Sequence, residues 1–140
     1  NVEYLGHVPT SRHNQVNGNA RIVLNIHRQS MVENGWSPAT RMFEAAGAGA
    51  CQITDAWPGI DGFFEPGTEI LVAEDAATVA RLAAEVDLVR ARAIGDAARR
   101  RALRSHTYAQ RAVLVDEIIR ERGDGKAGAP GVGTGARGAR

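Results

Sequence analysis

Apolar residues along this chain recur at two spacings. Residues 22–26, Ile-Val-Leu-Asn-Ile, form a nearly continuous apolar run, the pattern of a strand buried on both faces of a parallel sheet. Residues 2–5 read as a short strand ending at Gly6, and residues 51–54 and 69–73 as two more. Residues 10–19 and 59–64 read as short helices. Ser37 followed by Pro38 marks a helix start, the serine capping and the proline at the first helical position, where its missing N–H costs nothing. That helix is expected to run to about Ala48, with Met42, Ala45, Ala46 and Gly49 on its buried face; small residues there let it approach a sheet closely. The last third is helical. Asp75 caps a helix with the stripe Val79, Leu82, Ala83 and Val86, Asp87 starts another ending near Arg104, and Thr107 with Gln110 has capping-box spacing ahead of Ala112, Val115, Ile118 and Ile119. Strands alternating with helices at these lengths predict an α/β layer structure with four strands in a mainly parallel sheet.

Composition changes sharply after Arg122. Residues 123–140 hold 7 glycines and no aromatic residue, so a globular body, residues 1–122, is expected to carry a disordered Gly-rich tail. The tail's Gly131-Val132-Gly133-Thr134-Gly135-Ala136 has the letters of a dinucleotide fingerprint, but no strand precedes it and no helix follows. With 140 residues, 44% hydrophobic, and no apolar run near the roughly 20 residues of a membrane span, the chain reads as one domain without a transmembrane segment. A net charge of +1 supplies no field for nucleic acid. The run Arg99-Arg100-Arg101 with Arg104 has no interleaved aromatic residues and reads as cations favouring a helix C-terminus. The single cysteine, Cys51, excludes an internal disulfide and a cysteine-based zinc cluster, and fits a cytoplasmic protein. Because the chain starts with Asn1 and reads as a strand almost at once, it is expected to begin inside a larger protein.

Ligands of open parallel sheets bind outside the carboxyl ends of the strands, where helix N-termini offer free N–H groups to phosphate. The helix from Ser37 is the best placed. Its first turn adds the hydroxyls of Ser37 and Thr40, Arg41 supplies a fork for phosphate oxygens, and Glu44 can accept two hydrogen bonds from vicinal hydroxyls such as those of a ribose. The alternative for Arg41 and Glu44, three residues apart, is a surface ion pair. Arg28, just past the carboxyl end of the second strand, is a further phosphate candidate, and His7 a candidate to line the cleft. His7, His13, His27 and His106 include no pair at helical spacing beside an acid, so no metal site is expected. Trp36 and Trp57 are candidates to stack on a base or sugar, with core packing as the alternative.

Several of these segments, taken in order, carry a resemblance. Residues 23–26, 37–49 (Ser-Pro-Ala-Thr-Arg-Met-Phe-Glu-Ala-Ala-Gly-Ala-Gly) and 53–55 closely resemble the C-terminal segment of CgeB-like glycosyltransferases; so do 64–72, and His106-Thr107-Tyr108 with Arg111. The likeness covers about residues 4 to 120. It implies a GT-B fold, in which two Rossmann-like domains face each other across the active-site cleft, with this chain as most of the donor-binding half, incomplete at its N-terminus. It further implies a nucleotide-diphosphate sugar as substrate, Glu44 on the ribose hydroxyls, the helix start from Ser37 to Arg41 on the diphosphate, no metal or other cofactor, and an acceptor held by the missing N-terminal domain. Many related retaining enzymes carry a glutamate eight positions before the one matched by Glu44; here that position is Trp36. On this reading the catalytic residues lie outside the chain, which alone is not expected to turn over. The other reading is a non-catalytic nucleotide-binding or structural module, like a spore-coat component, that keeps the fold.

Overall fold

A computed structural model of the chain describes residues 3–4, 6–35 and 38–124. The body is built as α1 (Thr10–Asn19), β1 (Val23–Asn25), α2 (Gln29–Asn34), α3 (Thr40–Gly47), β2 (Gln52–Asp55), a 3-10 turn (Ile60–Gly62), β3 (Leu71–Ala73), α4 (Ala76–Glu85) and α5 (Leu88–Ser105). The three strands form one parallel sheet in the order β1-β2-β3. Leu24, Ile53 and Leu71 share one register row and Asn25, Thr54 and Val72 the next, so these rows face opposite sides. Residues 108–140 form a separate unit, described as the single helix α6 (Tyr108–Asp124). Of the tail expected to be disordered from residue 123, Gly123 and Asp124 close α6 instead, and residues from 125 onward lie outside the described residues.

Each face of the sheet has its own core. On one side Ile53 and Leu71 pack with Cys51, Ala73, Leu82, Val86, Ala91 and Ile94, which brings α4 and the first half of α5 over the sheet. On the other, Met42 and Ala46 of α3 meet Phe64, Ile70, Ala98 and Ala102, under the second half of α5. Met42, Ala45 and Ala46 of the predicted inner face are buried, whereas Gly49 lies beyond the helix, which ends in a Schellman motif: Gly49, at φ +77, donates to the Ala46 carbonyl and Ala50 to that of Ala45. The Asp75 and Asp87 caps also form, accepting from the amides of Thr78 at 2.7 Å and Arg90 at 2.8 Å.

Four expectations need correction. Residues 2–5 do not make a strand as a whole, because Glu3 and Tyr4 are exposed and outside any strand, Tyr4 at 90%; Val2 and Leu5 lie outside the described residues. β1 is not buried on both faces. Among the described residues it is an edge strand, the α4–α5 layer packs over Ile53 of β2 and Leu71 and Ala73 of β3, and Leu24 and Ile26 remain 56% and 46% exposed. The helix expected over residues 59–64 is only a 3-10 turn, entered through Gly59 at φ 92. Finally, α3 starts at Thr40, with extended Ala39 as its N-cap residue and no side-chain cap, which leaves Pro38 ahead of the helix. Ser37 lies outside the described residues, as does Trp36. The Ala39 amide is instead bound by the ring of His27, 12 residues away in sequence.

Candidate functional site

Because β1 and β2 are parallel, their carboxyl ends open on one edge, and the residues just past them meet there. Asp55 ends β2 and His27 follows β1 by two residues. One oxygen of Asp55, Oδ1, accepts both the His27 backbone N–H at 3.0 Å and the ring Nδ1–H at 2.8 Å. The other ring nitrogen, Nε2, accepts the Ala39 N–H at 3.3 Å. An amide can donate to Nε2 only if that nitrogen carries no proton, so this arrangement calls for the Nδ1–H tautomer of His27. The ring is buried, 1% exposed, and lies 5.4 Å from the ring of Trp57. Burial pushes the Asp55 carboxyl up, but the hydrogen bonds from the His27 ring and backbone outweigh it and hold the group below its ordinary value.

A second polar chain ties α3 to the same edge. Arg41 donates from Nε to the side-chain oxygen of Asn25 and from Nη2 to the Ile26 carbonyl. Asn25 donates to Gln52 at 3.5 Å, and Gln52 donates to the Met42 carbonyl at 3.0 Å, which returns the chain to α3. Asn25 and Gln52 are buried, so each bond left unmade would carry the desolvation cost of a buried polar group, about 1–3 kcal/mol. These two chains hold the amide end of α3 at the carboxyl edge of β1 and β2.

The predicted site residues are distributed unevenly around this edge. Arg41 is part of it, and Thr40, exposed, opens α3. Glu44 lies one turn further along and faces α1, where its carboxylate is 3.8 Å from His13 Nδ1 with both side chains substantially exposed. Among the described residues Arg41 and Glu44 make no ion pair with each other, since Arg41 is turned inward to β1. Arg28 follows His27, exposed, in the N-cap position of α2; its carbonyl accepts from Met31 and Val32. His7 is exposed in the segment before α1. Among the described residues neither side chain makes a hydrogen bond or ion pair with the edge. Trp57 packs in the core, 6% exposed, its ring N–H without a partner among the described residues. A cavity of about 150 Å³ lies at the opposite edge, between α1, the start of β2 and α5, lined in part by Asn19, Arg21, Cys51 and Arg92. Sequence reading missed the His27–Asp55 pair. Its signal was a histidine and an aspartate just past the carboxyl ends of two successive strands.

A parallel sheet with helices on both faces and a helix N-terminus at its carboxyl edge is a Rossmann-like layout, which many functions share. The sequence decides among them: residues 1–117 match the profile of the glycosyl transferase-like family. The chain belongs to that family. No curated protein matches it. As a glycosyl transferase-like chain it acts in glycosyl transfer, which requires a sugar donor and an acceptor. Among the described residues no helix is long and apolar enough to cross a membrane.

Proposed function

We propose that this glycosyl transferase-like chain is the donor-binding segment of a CgeB-like enzyme of the GT-B fold, holding a nucleotide-diphosphate sugar at the carboxyl edge of β1 and β2. The observation that carries this reading is the placement of the amide end of α3 at that edge, fixed by His27 and Arg41. Free N–H groups in the first turn take the diphosphate, with the Thr40 hydroxyl beside them and Arg28 at the approach. Arg41 keeps its place on β1 and turns its remaining N–H bonds to the same anion. Glu44, exposed one turn along, accepts the two ribose hydroxyls, and His7 lines the cleft.

In the transfer step the bond between the sugar's anomeric carbon and the diphosphate oxygen breaks, an acceptor oxygen attacks that carbon, and the leaving diphosphate takes the electron pair. Fixed N–H donors and guanidinium groups stabilise that developing charge. The acceptor and the base that takes its proton belong to a second domain across the cleft. A thermal-shift panel of UDP, GDP, TDP and ADP on the folded chain tests the reading, since a ligand that binds only the native state raises the melting temperature. A rise with one nucleotide supports the donor site and identifies its base; no rise with any of the four from a folded chain overturns it.

A further inference from the structure

α3 lacks the cap its position calls for. Its N-cap residue is Ala39, which has no side-chain acceptor, although a helix placed to bind an anion gains from a fixed first turn. The substitute comes from another element. Nε2 of His27, past the end of β1, takes the Ala39 amide at 3.3 Å, and Nδ1–H of the same ring is held by Asp55 of β2 at 2.8 Å. The ring cannot easily turn away: its own backbone N–H binds the same carboxylate oxygen, and Trp57 packs beside it. Carboxylate, imidazole and amide thus form one chain across β2, β1 and α3, in which the aspartate selects the tautomer that leaves Nε2 free to accept. Both ring nitrogens are used within the protein, so the ring has no nitrogen left for a substrate proton.

We propose that His27 is the positioning residue of the donor edge: a remote cap that fixes the start of α3 through Ala39 and is itself held in the Nδ1–H form by Asp55. The inference rests on the reading of α3 as the donor helix, because Thr40 and Arg41 follow Ala39 directly. Of the arginines on this edge, Arg41 engages Asn25 and the Ile26 carbonyl and leaves the ring alone, and Arg28 follows the ring exposed at the N-cap of α2.

Two isosteres divide the ring's roles. His27→Gln puts an amide oxygen near the place of Nε2 and keeps the acceptor for Ala39; His27→Asn puts an amide N–H near Nδ1, keeps the donor to Asp55 and removes the acceptor. In the full ¹⁵N-labelled chain, the imidazole spectrum of the parent should show Nδ1 protonated and Nε2 bare, and the Ala39 amide should exchange slowly with solvent in the parent and in His27→Gln but faster in His27→Asn. Affinity for UDP, GDP, TDP or ADP, whichever the parent binds, should stay within a few-fold in His27→Gln and fall about tenfold in His27→Asn, the loss expected for one hydrogen bond of about 1.4 kcal/mol. If His27→Asn fails to fold, Ala39→Pro removes the donor instead at a residue whose φ of −66 suits proline, and the same loss is expected. A merely structural histidine would rank the variants by stability; equal affinity and equal Ala39 exchange in His27→Asn and the parent overturn the proposal. If the parent binds none of the four nucleotides, the donor reading fails, while the tautomer and the Ala39 exchange still decide whether His27 is the cap.

Discussion

Among the described glycines, Gly95 is the one where an added Cβ would meet backbone most closely, which makes Gly95→Ala a demanding test. Gly95 is buried in α5, where the helix crosses the turn between α3 and β2, and a Cβ there would sit 2.1 Å from the Gly49 carbonyl oxygen, 2.8 Å from its carbon and 3.1 Å from the carbonyl carbon of Ala50. Ordinary contact begins near ~3.5 Å, so α5 must retreat by more than an ångström or the turn must yield, and every obstacle is backbone. Overpacking costs about 1–3 kcal/mol, and a rigid obstacle puts this case at the upper end. Against it stands the helix-forming advantage of alanine over glycine, up to about 1 kcal/mol. The net expectation is a loss of about 2 kcal/mol, a fall in Tm of roughly 8 °C for a chain of this size. Gly47→Ala in α3 is the matched control, because a Cβ there meets nothing within 4 Å and only the helix advantage remains. Urea melts of the parent and both variants measure the difference. If Gly95→Ala proves as stable as the parent while Gly47→Ala gains its few tenths to one kcal/mol, the close-approach argument is wrong.

Three further outcomes are expected. Glu44→Ala, in a chain still folded, should weaken nucleotide binding by about 1.5–3 kcal/mol, tenfold to somewhat over a hundredfold, read by calorimetric titration; unchanged affinity would remove Glu44 from the donor site. Because the folded Asp55 titrates below its ordinary value near 3.8, its contribution to stability is complete above that pH and is lost as the pH falls through the lower, folded value. Acid unfolding of Asp55→Asn should therefore lose part of the parent's pH dependence in that range, and identical acid curves would contradict it. Asp87→Ala should cost about 1 kcal/mol in thermal or urea melts by removing the cap that accepts the Arg90 amide at 2.8 Å, and no loss of stability would deny that cap any role.

Local signals carried the reading of the sequence furthest. The caps at Asp75 and Asp87 depend on residues three positions apart, and the inner face of α3 on a helical period, so both were legible from their letters. The exposure of β1 was not, since that of Leu24 and Ile26 depends on which strands the α4–α5 layer covers. The start of α3 was misread for a related reason. Ser37-Pro38 is a sound local start signal, but the amide ahead of the helix is bound by a ring 12 residues away in sequence, beyond any capping pattern. Likewise the inward turn of Arg41 follows from Asn25, 16 residues before it. The carboxyl edge of β1 and β2 is made of contacts between elements that the chain order keeps apart, whereas Thr40, Arg41 and Glu44 lie on one short helix and could be read together as candidates.

Cys51 gives the fold a built-in clock. It is the single thiol in the sequence, 2% exposed where β2 begins, and burial raises its pKa against the opposing charge of Arg90, so in the closed protein it is a poor nucleophile. It packs in the cluster of Leu82, Val86, Ala91 and Ile94 and borders the cavity lined by Asn19, Arg21 and Arg92, so a reagent reaches the thiol when the packing around it opens. The rate of alkylation at low denaturant therefore reports the free energy of that partial opening. Its midpoint against that of global unfolding shows whether the α4–α5 layer and the α3 layer come apart together or in turn.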